Sequence, residues 1–295
     1  MFEQLHNFAA FSSNLISLKI FTTRKSLGEY LEALRTEDKT IGFVPTMGAL
    51  HQGHLSLLSI AQQQADAVVC SIFVNPTQFN DPKDLEKYPR PIESDIKKLT
   101  AVGCDILFNP EVNEMYAGNE QWHLDLGELE HLLEGKFRPG HYQGVTQVVY
   151  KLFDIVKPDL AFFGQKDYQQ CMVIQRMIDM LKLPVKLVIC PIMREEDGLA
   201  MSSRNIHLST EDRKHALVLS QTLNWLKEHF DPNQIQSMQK QCRDKLGAEP
   251  GVRPEYFEIT DGSNLHSADS STKNIVALVA AKVGNTRLID NVVIS

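Results

Sequence analysis

The chain has 295 residues, 43% of them hydrophobic, which suits about two domains with real cores. Its net charge of -7 and isoelectric point near 5.8 argue against a nucleic-acid partner, whose phosphates demand a basic face. No apolar run approaches the ~20 residues that span a bilayer, residues 1–13 carry Glu3 and no basic cluster, a poor match to a secretory signal, and five widely spaced cysteines without a Cys-x-x-Cys pair (Cys70, Cys104, Cys171, Cys190 and Cys242) read as reduced core thiols of a cytoplasmic protein.

In chain order, strand and helix signals alternate. Runs at 41–44, 67–74, 105–108, 159–163 and 185–189 are short and apolar, as strands buried on both faces are. Between them, 55–65, 92–102, 145–156 and 171–181 are amphipathic and of helix length. The alternation predicts an α/β, Rossmann-like domain: a parallel sheet with helices on both faces, its ligands beyond the carboxyl ends of the strands. After Pro191 the texture changes. Ser209 or Thr210 followed by Glu211 and Asp212 reads as a capped helix start running to about Phe230, and Asp231-Pro232 restarts a second helix. Stretches 256–260, 274–281 and 286–293 are strand-like, with a turn at Val283-Gly284-Asn285, and 263–273 is a polar loop. The expectation is a nucleotide-binding domain over 1–190 and a smaller C-terminal α+β domain over 191–295, hinged near 190–194.

Residues 45–54, Pro-Thr-Met-Gly-Ala-Leu-His-Gln-Gly-His, link the first apolar run to the first helix. Gly48 and Gly53 let the backbone turn tightly and approach a ligand, and a helix starting near Gly53 directs unpaired N–H groups and its positive dipole end at an anion. His51 and His54, three residues apart, fit one face of the first helical turn, where both rings could donate to phosphate oxygens. A lone histidine here would read as a turn cap or a core residue; two interleaved with two glycines favour a phosphate site.

Two later stretches extend the same chemistry. Gly164-Gln165-Lys166-Asp167 ends a strand and begins a helix, so its backbone can approach a nucleotide while Lys166 brings positive charge; the alternative is an ordinary surface loop. Met201-Ser202-Ser203-Arg204 carries two hydroxyls and a guanidinium, groups able to wrap a triphosphate and follow its charge as pyrophosphate leaves. There the alternative is Ser202 capping a turn and Arg204 pairing with Glu195 or Glu196.

The His-x-Gly-His element resembles the signature of the nucleotidyltransferase superfamily, and the longer string at 45–54 resembles the pantothenate synthetase family. The resemblance recurs in order at Phe73-Val74-Asn75-Pro76-Thr77-Gln78-Phe79, Lys87-Tyr88-Pro89-Arg90, Phe137-Arg138-Pro139-Gly140-His141, 163–170 and 197–205, and covers roughly 18–295. Each string is expected just after a strand, around one shared cleft. The resemblance implies an ATP-dependent ligase that joins pantoate to β-alanine through a pantoyl-adenylate with Mg²⁺, working as a cytoplasmic homodimer with no nucleic-acid or membrane partner.

Carried onto this chain, it places ATP at Met47, Gly48, Ala49, Leu50, His51, Gln52, Gly53 and His54, at Gly164, Gln165, Lys166 and Asp167, and at Met193, Met201, Ser202, Ser203 and Arg204. Catalysis falls to His51, His54, Lys166 and Arg204, pantoate to Gln78 and Gln170, and β-alanine to Gln78. Uncharged amides suit a site that must hold a carboxylate without blunting its nucleophilicity. The family makes His54 a proton donor, although phosphate binding explains the residue equally well. Where the family pattern usually has Glu, this chain has Gln165. Arg90, Arg138 and His141 are further candidates for basic groups over the cleft, and Asp95 for a Mg²⁺ ligand. Two rival readings stay open: a different nucleotidyltransferase, and a nucleotide-binding module without activity. The second expects charged groups to be missing, and none of those named is.

Overall fold

The computed structural model describes residues 18–79, 82–118 and 120–295; the stretch read as a poor secretory signal, 1–13, lies outside them. Strands β1 (Lys19–Phe21), β2 (Ile41–Thr46), β3 (Ala67–Ile72), β4 (Ile106–Phe108), β5 (Leu160–Gly164) and β6 (Lys186–Cys190) form one sheet in the order β1-β4-β3-β2-β5-β6, with every neighbouring pair parallel. The helices that cover it are α1 (Arg24–Thr36), α2 (Gln52–Gln62), α3 (Pro82–Lys87), α4 (Ile92–Ala101), α5 (Val112–Met115), α6 (Leu133–Phe137), α7 (His141–Val156) and α8 (Tyr168–Leu181).

The continuous apolar runs follow from burial on both faces. Phe43, Val69 and Phe163 join Leu27 and Leu31 of α1, Leu152 of α7 and Ile174 of α8 in one core. Their neighbours Val44, Cys70 and Phe162 point the other way, against Leu55 and Leu58 of α2 and Leu99 of α4. From β2 the chain proceeds to β3 and β4 on one side, and from β5 to β6 on the other. The order therefore reverses between β2 and β5, and the segments leaving them diverge to opposite faces, α2 to one and α8 to the other. A crevice opens where such segments part.

The C-terminal part adds α9 (Thr210–His229), α10 (Ile235–Ala248), β7 (Val252–Asp261), β8 (Ile275–Val283) and β9 (Thr286–Val293), the strands forming an antiparallel sheet in the order β7-β8-β9. Ser209 caps α9, accepting from the Asp212 amide at 3.0 Å. One sheet face, with Phe257, Ile259, Ala277 and Val279, packs on α9 and α10. The other, with Tyr256, Val276 and Leu278, meets Leu132, Leu133, Tyr168 and Met172, so the small sheet lies between its own helices and the larger unit. The α/β assignment with a smaller α+β part is thus borne out.

Three details differ from the sequence reading. It places nothing before residue 41, whereas β1 and α1 precede it: β1 is a three-residue edge strand without a buried pattern, but α1 did carry signals, a Thr23 cap and fully buried Leu27 and Leu31 one turn apart. The helix expected at 145–156 starts at His141, after a left-handed Gly140 at its N-cap, and so takes in Gly144, where a Cβ would lie 2.4 Å from the Thr77 carbonyl oxygen. Finally, not every motif follows a strand; 87–90 joins α3 to α4 and 137–141 joins α6 to α7. All five cysteines are buried and unpaired, as expected, and among the described residues no helix is long and apolar enough to cross a membrane.

Candidate active site

The loop after β2 is held from below. Gly48 (φ 78) and Ala49 (φ 50) are both left-handed, a conformation that costs a non-glycine residue on the order of 1 kcal/mol and persists only where neighbours impose it. Asp95 of α4, 0% exposed, imposes it: Oδ2 accepts from the Ala49 amide at 2.7 Å and Oδ1 from the Leu50 amide at 2.8 Å. Lys98 Nζ donates to the Leu50 carbonyl at 2.6 Å, and Thr46 Oγ1 accepts from the Gly48 amide at 3.1 Å. Asp95, a candidate metal ligand from sequence, thus has both carboxylate oxygens engaged by the backbone amides of Ala49 and Leu50, which makes it the support of this loop.

The loop delivers His51 as the N-cap of α2 and His54 in its first turn. His51 Nδ1 accepts from the Gly53 amide at 3.1 Å and His54 Nδ1 from the His51 amide at 3.3 Å. With both Nδ1 atoms accepting, each neutral ring carries its proton on Nε2. The rings lie 4.0 Å apart, centroid to centroid. Gly53 is required beneath them, since a Cβ would sit 2.9 Å from the His51 ring.

Burial first, then the positive charge of Lys166, hold the His51 imidazole down to about 4. Burial, then His51 and Lys166, hold His54 down to about 3. Both rings are therefore neutral donors near neutral pH. Their unfolded values lie near 6.5, so between that pH and about 4 the unfolded chain binds more protons than the native one, and stability falls as pH drops through this window. Proton NMR of the ligand-free protein should find the His51 and His54 rings still neutral at pH 5; a midpoint near 6.5 for either would contradict this geometry.

From β5, a 3-10 turn over Gln165–Asp167 carries Lys166 into the same cleft, and α8 brings Gln170 in its first turn rather than on a loop. From the far side, Met201, Ser202, Ser203 and Arg204 line it, with Met193. Ser202 caps the turn Ser203–His207, accepting from the Arg204 amide at 3.2 Å, so the capping role weighed from sequence does hold while Ser202 faces the cleft. Glu195 bonds Arg213 and Asn205. Gln165 turns its amide to Asn291, so the change from the family's usual Glu falls outside the cleft lining.

Gln78 lines the opposite wall. Its side chain receives Asn75 Nδ2 at 3.2 Å and donates to Met47 Sδ at 3.1 Å. Behind it, Arg138 Nη1 lies 3.0 Å from His141 Nε2, and His141 Nδ1 lies 2.9 Å from the Gln78 carbonyl. Arginine only donates, so Nε2 accepts and Nδ1–H donates to Gln78. Burial and Arg138 hold this imidazole down to about 4. His141 thus supports Gln78 from behind. Arg90 is placed elsewhere: it donates to the carbonyls of Leu85, Glu86 and Tyr88, closing the end of α3.

Asn75, 1% exposed, lies in the string at 73–79 but was not among the candidate site residues. Asn75 accepts from Tyr116 OH at 2.7 Å and donates to the Gly144 carbonyl at 3.1 Å as well as to Gln78. Glu134 was also missed: Arg287 binds it through two hydrogen bonds, 2.6 and 2.7 Å, and Tyr256 OH donates at 2.8 Å, joining α6 to the C-terminal sheet. Asn-Pro is readable as a turn signal; nothing in the local sequence marks Glu134.

The cleft therefore has two histidine donors and a lysine at the β2/β5 crevice, two hydroxyls and an arginine facing them, and two amides on its inner wall. Comparison with known proteins gives the chain a family. Residues 19–293 match the family model described as pantoate-beta-alanine ligase. A pantothenate synthetase of Porphyromonas gingivalis is 46% identical over 277 residues, 93% of this chain and 99% of its own length, and one of Aquifex aeolicus is 44% identical over 275 residues. Among solved structures, pantothenate synthetase of Thermus thermophilus superposes with a TM-score of 0.87 at 40% identity, covering 94% of this chain and 99% of its own. The Francisella tularensis pantoate-beta-alanine ligase complexed with beta-gamma ATP and beta-alanine superposes with a TM-score of 0.78 at 34% identity, covering 94% of this chain and 97% of its own. On a match that runs nearly the full length of the chain in sequence and in fold, the chain belongs to the pantoate-beta-alanine ligase family.

Proposed function

We propose that the cleft binds ATP across the β2/β5 crevice and pantoate against Gln78 and Gln170, and that the ligation proceeds through a pantoyl-adenylate. The observation that carries this is the convergence of the His51–His54 turn and the Lys166 turn, from adjacent strands, opposite Ser202–Arg204. The pantoate carboxylate attacks the α-phosphorus of ATP, a P–O bond forms, and pyrophosphate leaves. The amine of β-alanine, also held near Gln78, then attacks the acyl carbon, loses a proton, and releases AMP with pantothenate.

No side-chain nucleophile is needed, because the substrate supplies one. His51 and His54 donate Nε2–H to phosphoryl oxygens, Lys166 follows the developing charge, and Ser202, Ser203 and Arg204 hold the departing pyrophosphate. A neutral His54 fits this better than an acid that gives up its proton. Among the described residues no three His, Cys, Asp or Glu side chains converge as a metal cage. In this reading Mg²⁺ therefore arrives on the phosphates of ATP, and no protein step runs through it.

The same reading divides the chain at 190/191, with 191–295 carrying the pyrophosphate-facing loop, and expects a cytoplasmic homodimer, which sedimentation would test. The direct test of the chemistry omits β-alanine: enzyme, ATP, Mg²⁺ and pantoate should exchange labelled pyrophosphate into ATP, because adenylate formation is reversible while the intermediate stays bound. Little AMP should form until β-alanine is added. Exchange without pantoate, or AMP formed with β-alanine but no prior exchange, would defeat the adenylate.

Gln78→Glu sets a carboxylate against that of the substrate. The KM for pantoate should rise about tenfold, with the KM for ATP little changed. Equal losses for both ligands would make Gln78 structural.

A further inference from the structure

Near the end of β9 stand Asp290 and Asn291, 3% and 1% exposed, and both reach out of their own sheet. Asn291 Nδ2 donates to the carbonyls of Gln165 and Lys166, each at 2.9 Å, while its Oδ1 accepts from Gln165 Nε2 at 3.1 Å. The amide is fully satisfied, and its orientation is forced: flipped, Oδ1 would face two carbonyl oxygens. Asp290 binds Arg194 through two hydrogen bonds, 2.7 and 3.0 Å. Arg194 bridges to Ala200, and Met201 N donates to Met193 O at 3.0 Å, at the base of the hairpin that leads into Ser202–Arg204. Two consecutive residues of one strand thus hold the footings of two of the three segments assigned to the phosphates, the Lys166 turn and the hairpin leading into Ser202–Arg204.

We propose that Asn291 is a positioning residue for Lys166, and that β9, through Asn291 and Asp290 together, sets the spacing between Lys166 and the Ser202–Arg204 loop. The proposal rests on the assignment of Lys166 to the phosphates. A lysine is a long flexible chain whose ammonium is only as well placed as the peptide that bears it. That peptide lies in a short 3-10 turn without a side-chain cap of its own, and Asn291 supplies it with two donors. Only a primary amide meets the site: a carboxylate would face both carbonyls with lone pairs, and alanine would leave them with no donor from this position. The small sheet is then part of the phosphate site without touching a phosphate.

The test is a cycle of Asn291→Ala and Lys166→Ala, read by pantoate-dependent pyrophosphate exchange over long incubations and by melting temperature. A displaced catalytic group should lower the exchange rate on the order of tenfold in Asn291→Ala, with the KM for pantoate unchanged to within about twofold. With Lys166 already replaced, Asn291→Ala should lower the residual rate by less than about twofold, while the melting temperature falls equally in both backgrounds. The same tenfold loss with and without Lys166 would mean that Asn291 acts through the fold at large and would overturn the proposal, as would no loss when Lys166 is present. Near-normal exchange by Lys166→Ala alone would instead defeat the assignment of Lys166. Should Asn291→Ala not fold, Asn291→Ser, which keeps one donor, should show a smaller loss with the same dependence on Lys166, and a loss independent of Lys166 overturns the proposal there too.

Discussion

Lys166→Ala and, separately, His54→Ala should each lower kcat about 10² to 10³-fold, the usual result of losing one preorganised donor at a developing charge. The melting temperature should change much less. Lys166 sits on a 3-10 turn whose backbone is held by Asn291, so truncating its side chain leaves that turn's hydrogen bonds in place. His54 contributes one acceptor to the His51 amide at 3.3 Å, a long bond that water can replace. On the proposed mechanism the loss belongs, for both residues, to the transition state, where charge moves onto the phosphates. Steady-state release of AMP beside a thermal melt separates the two effects, and folded variants with near-normal turnover would show that the phosphates lie elsewhere.

The second large effect is expected at a residue that touches no substrate. Asp95→Ala removes both acceptors beneath the loop that delivers His51, leaving the Ala49 and Leu50 amides unpaired under a left-handed turn. Hydrogen bonds to a buried charge contribute about 1.5 to 3 kcal/mol each, and the amides recover part of this from water, so a loss of about 3 kcal/mol is expected. Turnover should fall about tenfold or more at temperatures where the variant remains folded, because His51 and His54 hang from this loop. The Mg²⁺ concentration giving half-maximal rate should stay where it is. A variant of unchanged stability that demands much more Mg²⁺ would return Asp95 to the role of a metal ligand.

Much of this site was legible in one dimension because its main parts are local. A turn that must place two glycines and two histidines within ten residues, between a buried strand and a helix start, does so through φ angles, capping and dipole, and all three are written at those positions. The alternation of apolar runs with amphipathic segments likewise fixed a parallel sheet, since strands covered on both faces admit no polar side. Cys70 and Cys190, set in apolar runs, could be placed in the core for the same reason.

What the string of residues could not decide were contacts between groups distant along it. Asp95 and Leu50 are 45 residues apart, and an acid in the first turn of a helix reads the same whether it faces solvent, a metal or a loop. Nothing local to Gly144 shows that the Thr77 backbone lies where its Cβ would be. Asn291 meets Lys166 across 125 residues, and Glu134 meets Arg287 across 153. Local propensity and pattern fix which turns and helices form, because those energies act within a few residues. Which buried amide, carboxylate or carbonyl satisfies which partner is settled only when packing removes water and leaves each polar group the neighbours that the fold has brought to it.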